Sequence, residues 1–216
     1  IAPLLIERGY RVVLLEKARH PRFHIGESLL PANLPLFERL GVASEVKAIG
    51  MEKWAAEFVS PQHLMPQTFH FADAWDKSMP YAYQVKRAEF DAILIRNAAC
   101  KGVEVHEACK ARAVDFLSDN SVRVRACQEN GREVEWTARF VVDASGRDTF
   151  LANRFQIKHR NPRHNSSAVY GHFAGASRSA GQAEGNITIF WFEHGWFWFI
   201  PMHGDVTSVG MVTWPY

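Results

Sequence analysis

From Ile1 to Arg8 apolar side chains recur at helical spacing and the pattern stops at Gly9. Arg11 to Glu16 is then an apolar run that ends in an acid. Together they predict a helix followed by a buried strand, the second half of a βαβ unit. The first strand of such a unit and its glycine-rich turn do not precede it, so the chain reads as a fragment without its N-terminal segment. A loop rich in breakers, "KARHPRFHIGES", leads to a helix predicted over Leu29 to Leu40, with Pro31 near its start and Gly41 just past its end. Met51 to Gln84 alternates in short runs broken by Pro61, Pro66 and Pro80, the mark of an antiparallel sheet. "KRAEFDAILIRNAACKG" places Phe90, Ile93, Leu94 and Ala98 on one helical face and closes at Gly102. Four alternating runs between Val103 and Ala138 predict a meander. "RFVVDASG" predicts a strand covered on both sides, since its core has no polar face before Asp143. After a polar stretch from Arg147 to Arg163, four strands are predicted at about 167 to 174, 186 to 193, 195 to 201 and 206 to 213.

This order of elements predicts an α/β fold: a Rossmann-like nucleotide-binding domain interleaved with an antiparallel β-sheet that forms a second layer. The expected boundaries are 1–50 with 85–155 for the first part, and 51–84 with 156–216 for the second. A chain of 216 residues, 47% hydrophobic, is long enough for one large domain or two small ones. The 25 basic and 23 acidic residues are mixed without a run of one sign, which argues against nucleic acid or an anionic membrane as partner. Cys100, Cys109 and Cys127 are odd in number and outside CxxC spacing, and the ten histidines form no HxH or HExxH set. Neither a disulfide framework nor a metal site is expected, and a reducing cytoplasm fits best. No apolar run reaches the roughly 18 residues that span a bilayer.

Several short stretches carry chemistry. Glu16 ends a strand directly after a helix, where a dinucleotide fold places a carboxylate against a ribose diol; a solvated strand-end acid is the plainer alternative. In "HIGESLLP", Gly26 allows an unusual backbone or close approach of a flat ligand, while Ser28 reads as an N-cap and Pro31 as an early helix residue. "GWFWFIP" places Trp196, Phe197, Trp198 and Phe199 in one strand, which suits a core strand as well as a wall around a reactive group. In "EKWAAEF", strict alternation puts Lys53 beside Ala55 and Glu57, predicting a solvated lysine paired with Glu57. Arg87 opens a helix, where a cation calls for an anionic partner. "DASG" brings Asp143 to Gly146 to a strand end, where open sheets bind ligands.

Taken together, "RVVLLEKARHPRFHIGESLLP", "YQVKRAEFDAILIRNA", "VVDASGRDTFLA" and "GWFWFIP" resemble, in order and spacing, the flavin-dependent halogenases within the wider flavoprotein monooxygenase group. The resemblance covers nearly the whole chain, and its most specific element is the WxWxIP pattern, here Trp196, Trp198, Ile200 and Pro201. It implies a p-hydroxybenzoate hydroxylase-like fold, noncovalent FAD, and an enzyme that converts halide with reduced FAD and oxygen into hypohalous acid. Lys53 would then hold or carry the halogen, with Trp196 and Trp198 keeping the organic substrate from the flavin. Glu16, Lys17, Gly26, Glu27, Ser28, Arg87, Ala111, Asp143, Ser145 and Gly146 would contact FAD. The implied partners are a small aromatic substrate, free or carrier-bound, a halide and a separate flavin reductase. A second Gly-Asp flavin motif and the catalytic glutamate of tryptophan halogenases would follow Tyr216; Gly204-Asp205 reads as a hairpin turn. A monooxygenase, a geranylgeranyl-reductase-like enzyme and an inactive flavoprotein remnant are the alternatives.

Overall fold

The computed structural model describes residues 1–159, 161 and 165–214; part of the polar stretch before 167 and the last two residues lie outside them. The chain divides into two compact units, Ile1–His20 with Ala98–Arg163, and Pro21–Asn97 with His164–Tyr216.

In the first unit, helix α1 (Ala2–Ile6) leads into strand β1 (Val13–Leu15), which pairs in parallel with β6 (Glu104–His106). Ala2, Ala98 and Val103 form its small core, with Ile6, Val12, Leu14 and Val105 packed against them. Of the four runs expected to form a meander, the first is β6 and pairs with β1 instead; the other three make an antiparallel sheet, β7 (Cys109–Phe116), β8 (Val122–Gln128) and β9 (Glu133–Ala138), with a bulge at Ala111/Ala113. The strand expected at "RFVVDASG" does not form. Residues 140–145 have no strand partner among the described residues, and Phe140 and Val142 stay 80% and 56% exposed. An apolar run becomes a buried strand only where a neighbouring strand accepts its hydrogen bonds, and periodicity does not report on that neighbour.

The second unit holds the larger core. The helix expected from Leu29 begins later, as a 3-10 turn at Pro31–Asn33 followed by α2 (Leu34–Leu40). Leu30 precedes a proline, which disfavours helical backbone, and it sits extended at φ −111° and ψ 152°. Helix α3 (Ala43–Ile49) follows without a signal strong enough to predict it, because Gly41 reads as a stop and the next seven residues carry little apolar periodicity. Phe37, Val42, Val46, Tyr83, Val85, Phe90 and Ile93 make one cluster, joining these helices to β5 (Ala82–Gln84) and to α4 (Arg87–Cys100). No helix among the described residues is long and apolar enough to cross a membrane.

The six-stranded sheet has the order β10 (Ser167–Phe173), β13 (Val206–Thr213), β12 (Gly195–Met202), β11 (Ile187–Phe192), β3 (Ala55–Val59), β4 (Gln67–His70). Its neighbours are antiparallel except β11 and β3. Trp196, Trp198, Ile200 and Met202 alternate onto one face of β12 and, with Ile187, Ile189, Val206 and Val212, form a core cluster. Trp198, Gly210 and Tyr170 stand opposite one another on three adjacent strands. Gly210 presents no side chain, so the Trp198 indole lies flat over it and reaches to 6.2 Å from the Tyr170 ring.

A Cβ at Gly210 would stand 2.1 Å from Cζ2 of Trp198, inside contact distance of a ring that cannot bend away. Gly210→Ala is therefore expected to cost about 3 kcal/mol or more and to shift tryptophan emission, read by urea unfolding followed by fluorescence.

Candidate functional site: a buried lysine, a glycine-glutamate-serine loop and a tryptophan strand

The stretch "EKWAAEF" is two strands. β2 (Met51–Lys53) pairs with β5, while β3 belongs to the large sheet. The break at Trp54 is pinned by Asn186, whose Oδ1 accepts from the backbone N–H of Trp54 at 3.2 Å and of Ala55 at 2.9 Å. Alternation cannot be carried across such a break, so the expectation of a solvated Lys53 beside Glu57 fails. Glu57 instead accepts hydrogen bonds from Asn186 Nδ2 at 3.0 Å and Thr188 Oγ1 at 3.3 Å.

Lys53 is 2% exposed. Its Nζ donates to Ser28 Oγ at 2.8 Å and to the Leu29 carbonyl at 2.6 Å, and it lies 5.2 Å from the centre of the Phe71 ring. Two neutral acceptors and an aromatic face replace part of the lost hydration, and no carboxylate neutralises the charge in this set of contacts. Burial accordingly pulls the Lys53 pKa down from the ordinary 10.5 to about 8.

Ser28 is not a helix cap, as its spacing suggested. It forms an isolated antiparallel bridge with Gln84, and its hydroxyl is taken by Lys53. The loop is laced to β5 by Leu29 N–H to the Tyr83 carbonyl and Val85 N–H to the Glu27 carbonyl, at 2.9 and 2.8 Å. Gly26 sits at φ +104°, and a Cβ there would meet Nη1 of Arg87 at 2.8 Å. Arg87 uses that approach to donate to the carbonyls of Ile25 and Gly26 at 2.9 and 3.2 Å, and grips Asp91 through Nε and Nη2 at 2.8 and 3.0 Å. The anionic partner that a cation at a helix start demands is thus supplied within α4, one turn on. Glu27, 2% exposed, takes a 2.6 Å hydrogen bond at Oε1 from Nε2 of His172 on β10. Pro21, Arg22, Phe23, Glu27, Arg87 and His172 contribute to the walls of an open cavity of about 280 Å³.

Trp196 and Trp198 pack ring to ring at 5.9 Å. The Trp198 N–H is satisfied by Ser208 Oγ at 3.0 Å, and Trp198 is 7% exposed while Trp196 is half-buried. The core-strand reading holds: Trp198 sits in the cluster of β12, with Trp196 packed against it. Gly204-Asp205 lies in the turn between β12 and β13, as expected.

The first unit contains the remaining candidates. Glu16 follows β1, and its Oε1 accepts from the Ala18 N–H at 2.8 Å. Lys17 pairs with Asp148, and that contact holds the Asp148 carboxyl below its ordinary range. Ala111 lies at the bulge of β7. Asp143 accepts from the N–H groups of Ser145 and Leu151, at 2.9 and 2.8 Å, and Ser145 Oγ from that of Phe150 at 2.9 Å. These two side chains satisfy the start of helix α5 (Phe150–Arg154), and the bonds, from Ser145 first, hold the Asp143 carboxyl low. Gly146 follows in a 3-10 turn. The structure thus joins Lys53 with Ser28, Gly26 with Arg87, Asp143 with Ser145, and Trp196 with Trp198. Asn186, His172, Asp91 and Ser208 were not singled out by spacing. Ser208 alone carried a signal, as a polar residue on the otherwise apolar face of its strand.

In fold this is a protein of the FAD-dependent halogenase type. It superposes on the myxobacterial chondrochloren halogenase CndH with a TM-score of 0.87 at 38% identity, over 98% of this chain and 49% of that one. On the flavin-dependent halogenase CmlS the TM-score is 0.91 at 31% identity, over 98% and 38%. The chain belongs to the tryptophan halogenase family, whose model matches residues 47–214. The flavin-dependent halogenase armH3 of Armillaria mellea is 35% identical over 98% of this chain and 43% of its own length. The chain thus spans about half the length of such relatives, or less.

The buried lysine has a thermodynamic signature. The unfolded chain keeps this proton up to about pH 10.5, the folded one only to about 8. The burial penalty is therefore fully present below pH 8 and relieved as pH rises from there towards 10.5, by on the order of 2 to 3 kcal/mol. Tyr83, whose phenol burial pushes upward, titrates in both wild type and Lys53→Met. The difference in their urea unfolding free energies between pH 7 and 10 isolates Lys53: wild type is expected to gain on the variant as pH rises.

Proposed function

We propose that the protein is a flavin-dependent halogenase acting on an electron-rich aromatic ring, and that Lys53 is its halogen-handling residue. The observation that carries this reading is the burial of Lys53 in a family member, with its amine held by Ser28 and Leu29 and its pKa near 8. At pH 7 such an amine is neutral in about a tenth of molecules, against well under a thousandth for an exposed lysine. FAD, once bound and reduced, would supply the oxidation of halide by oxygen to hypohalous acid.

The protonated amine can donate N–H to the oxygen of hypohalous acid and polarise the oxygen–halogen bond. The neutral amine can take the halogen directly, forming N–X and releasing water; the aromatic carbon then takes the halogen, and its proton returns to nitrogen. Either route needs a site poor in water, which the burial of Lys53 beside Phe71 supports. Trp196 and Trp198 would act as the wall between substrate and cofactor. The packing of their rings and the hydrogen bond from Trp198 to Ser208 give that wall little rotamer freedom.

The residues present fit FAD. Gly26 has no Cβ where Arg87 and the loop backbone close together, and Glu27 Oε2 is buried with no partner among the described residues. Gly26, Glu27, Ser28 and Arg87 would contact the cofactor, as would Glu16, Lys17, Ala111, Asp143, Ser145 and Gly146. In domain terms, 1–50 with 85–155 would serve FAD, and 51–84 with 156–216 the substrate. The wider partners would be a halide, a separate flavin reductase and a free or carrier-bound aromatic compound, in the cytoplasm.

Lys53→Ala is expected to retain FAD content and flavin reoxidation by oxygen, because the residue acts after halide oxidation, and to lose halogenated product entirely. The assay supplies a flavin reductase, bromide or chloride, and indoles, phenols and pyrroles, read by mass. Halogenation that survives this substitution removes Lys53 from the mechanism.

A further inference from the structure

The one buried carboxylate oxygen without a partner among the described residues is Oε2 of Glu27. Its sister Oε1 is held at 2.6 Å by Nε2 of His172, and the Glu27 side chain is 1% exposed. An unpaired buried carboxylate oxygen is costly, and one kept in a folded protein calls for a reason, a bound ligand among them. Glu27 and His172 both line the cavity of about 280 Å³.

The cations around that cavity are already engaged. Arg22 and Arg87 both bond Asp91, Arg87 also holds the Ile25 and Gly26 carbonyls, and Lys86 stands 4.0 Å from Glu89. What Glu27 offers a ligand is therefore an acceptor for a hydroxyl or N–H donor, in place of a cation for an anion. Resting on the flavin reading above, we propose that His172 is a positioning residue for the cofactor: it fixes Glu27 so that Oε2 accepts a hydrogen bond from a neutral donor of the flavin, a ribityl hydroxyl or the ring N3–H, while the pyrophosphate binds elsewhere. His172 is well placed to be fixed itself. It stands opposite Ser208, the acceptor for Trp198, and its ring meets Phe23 edge-on at 5.4 Å. The same residue thereby ties the loop of Glu27 to β10, whose neighbour β13 carries Ser208.

FAD dissociation constants, measured by fluorescence quenching on wild type, His172→Ala, His172→Gln and Glu27→Ala, test this at a temperature where circular dichroism shows every variant folded. His172→Ala and Glu27→Ala should each weaken FAD about tenfold, and their double variant no further. His172→Gln, whose amide nitrogen occupies the place of Nε2, should stay within about threefold of wild type. An FAD analogue methylated at N3 separates the two donors. If the ring N–H is used, the analogue binds weakly and is indifferent to His172→Ala; if a ribityl hydroxyl is used, it keeps the tenfold sensitivity. Wild-type affinity in His172→Ala, or an equal loss in His172→Gln, overturns the proposal while leaving the flavin reading intact. A wild-type protein that does not bind FAD overturns both.

Discussion

An ammonium group removed from water beside an aromatic ring sets the local architecture of the second unit. Lys53 can be buried only because Ser28 and Leu29 turn their oxygens towards it, and they can do so only because their own backbone is tied to β5. The same segment carries Gly26 against Arg87 and Glu27 against His172. One buried charge thus constrains a lysine strand, a loop and the edge of the large sheet. Its depressed pKa is the electrostatic cost of that arrangement and also the property that suits the amine to chemistry near neutral pH.

The tryptophan strand shows how packing and chemistry need not compete. Trp198 occupies space that Gly210 leaves open, and its N–H is satisfied by a fully buried serine. An indole held on two sides and hydrogen-bonded at its edge keeps one orientation without any ligand. Stability and a fixed ring orientation follow from the same contacts.

Much of the fold was legible in the pattern of residues. The four C-terminal strands, the meander and the helix at Arg87 fall where their periodicity places them, because each is long enough for its spacing to be unambiguous. The failures have distinct causes. The run at Phe140 is apolar but finds no pairing partner among the described residues, the helix expected at Leu29 is delayed by Pro31, and α3 is too short and too weakly patterned to announce itself. Spacing exposed Lys53, because a side amide from Asn186, more than 130 residues away, breaks the strand whose alternation was being read. The motifs named the loop, the lysine and the tryptophans. Their partners Asn186, His172 and Ser208 come from distant strands, and no local pattern links them.

The pairing of β11 with β3 also governs how the molecule comes into being. Asn186 and Ala55 are 131 positions apart, with the whole of the first unit's second segment between them. Closing a loop of that length costs about 4 kcal/mol in chain entropy before the first contact rewards it. During synthesis β3 and β4 leave the ribosome long before their neighbour exists, with an open edge and with Phe58 and Phe69 meeting only each other, edge to face. The intervening segment, whose meander is built of local pairings, can fold in that interval. The large sheet is therefore the late event, and an unpaired strand edge is the hazard the nascent chain carries until β11 arrives.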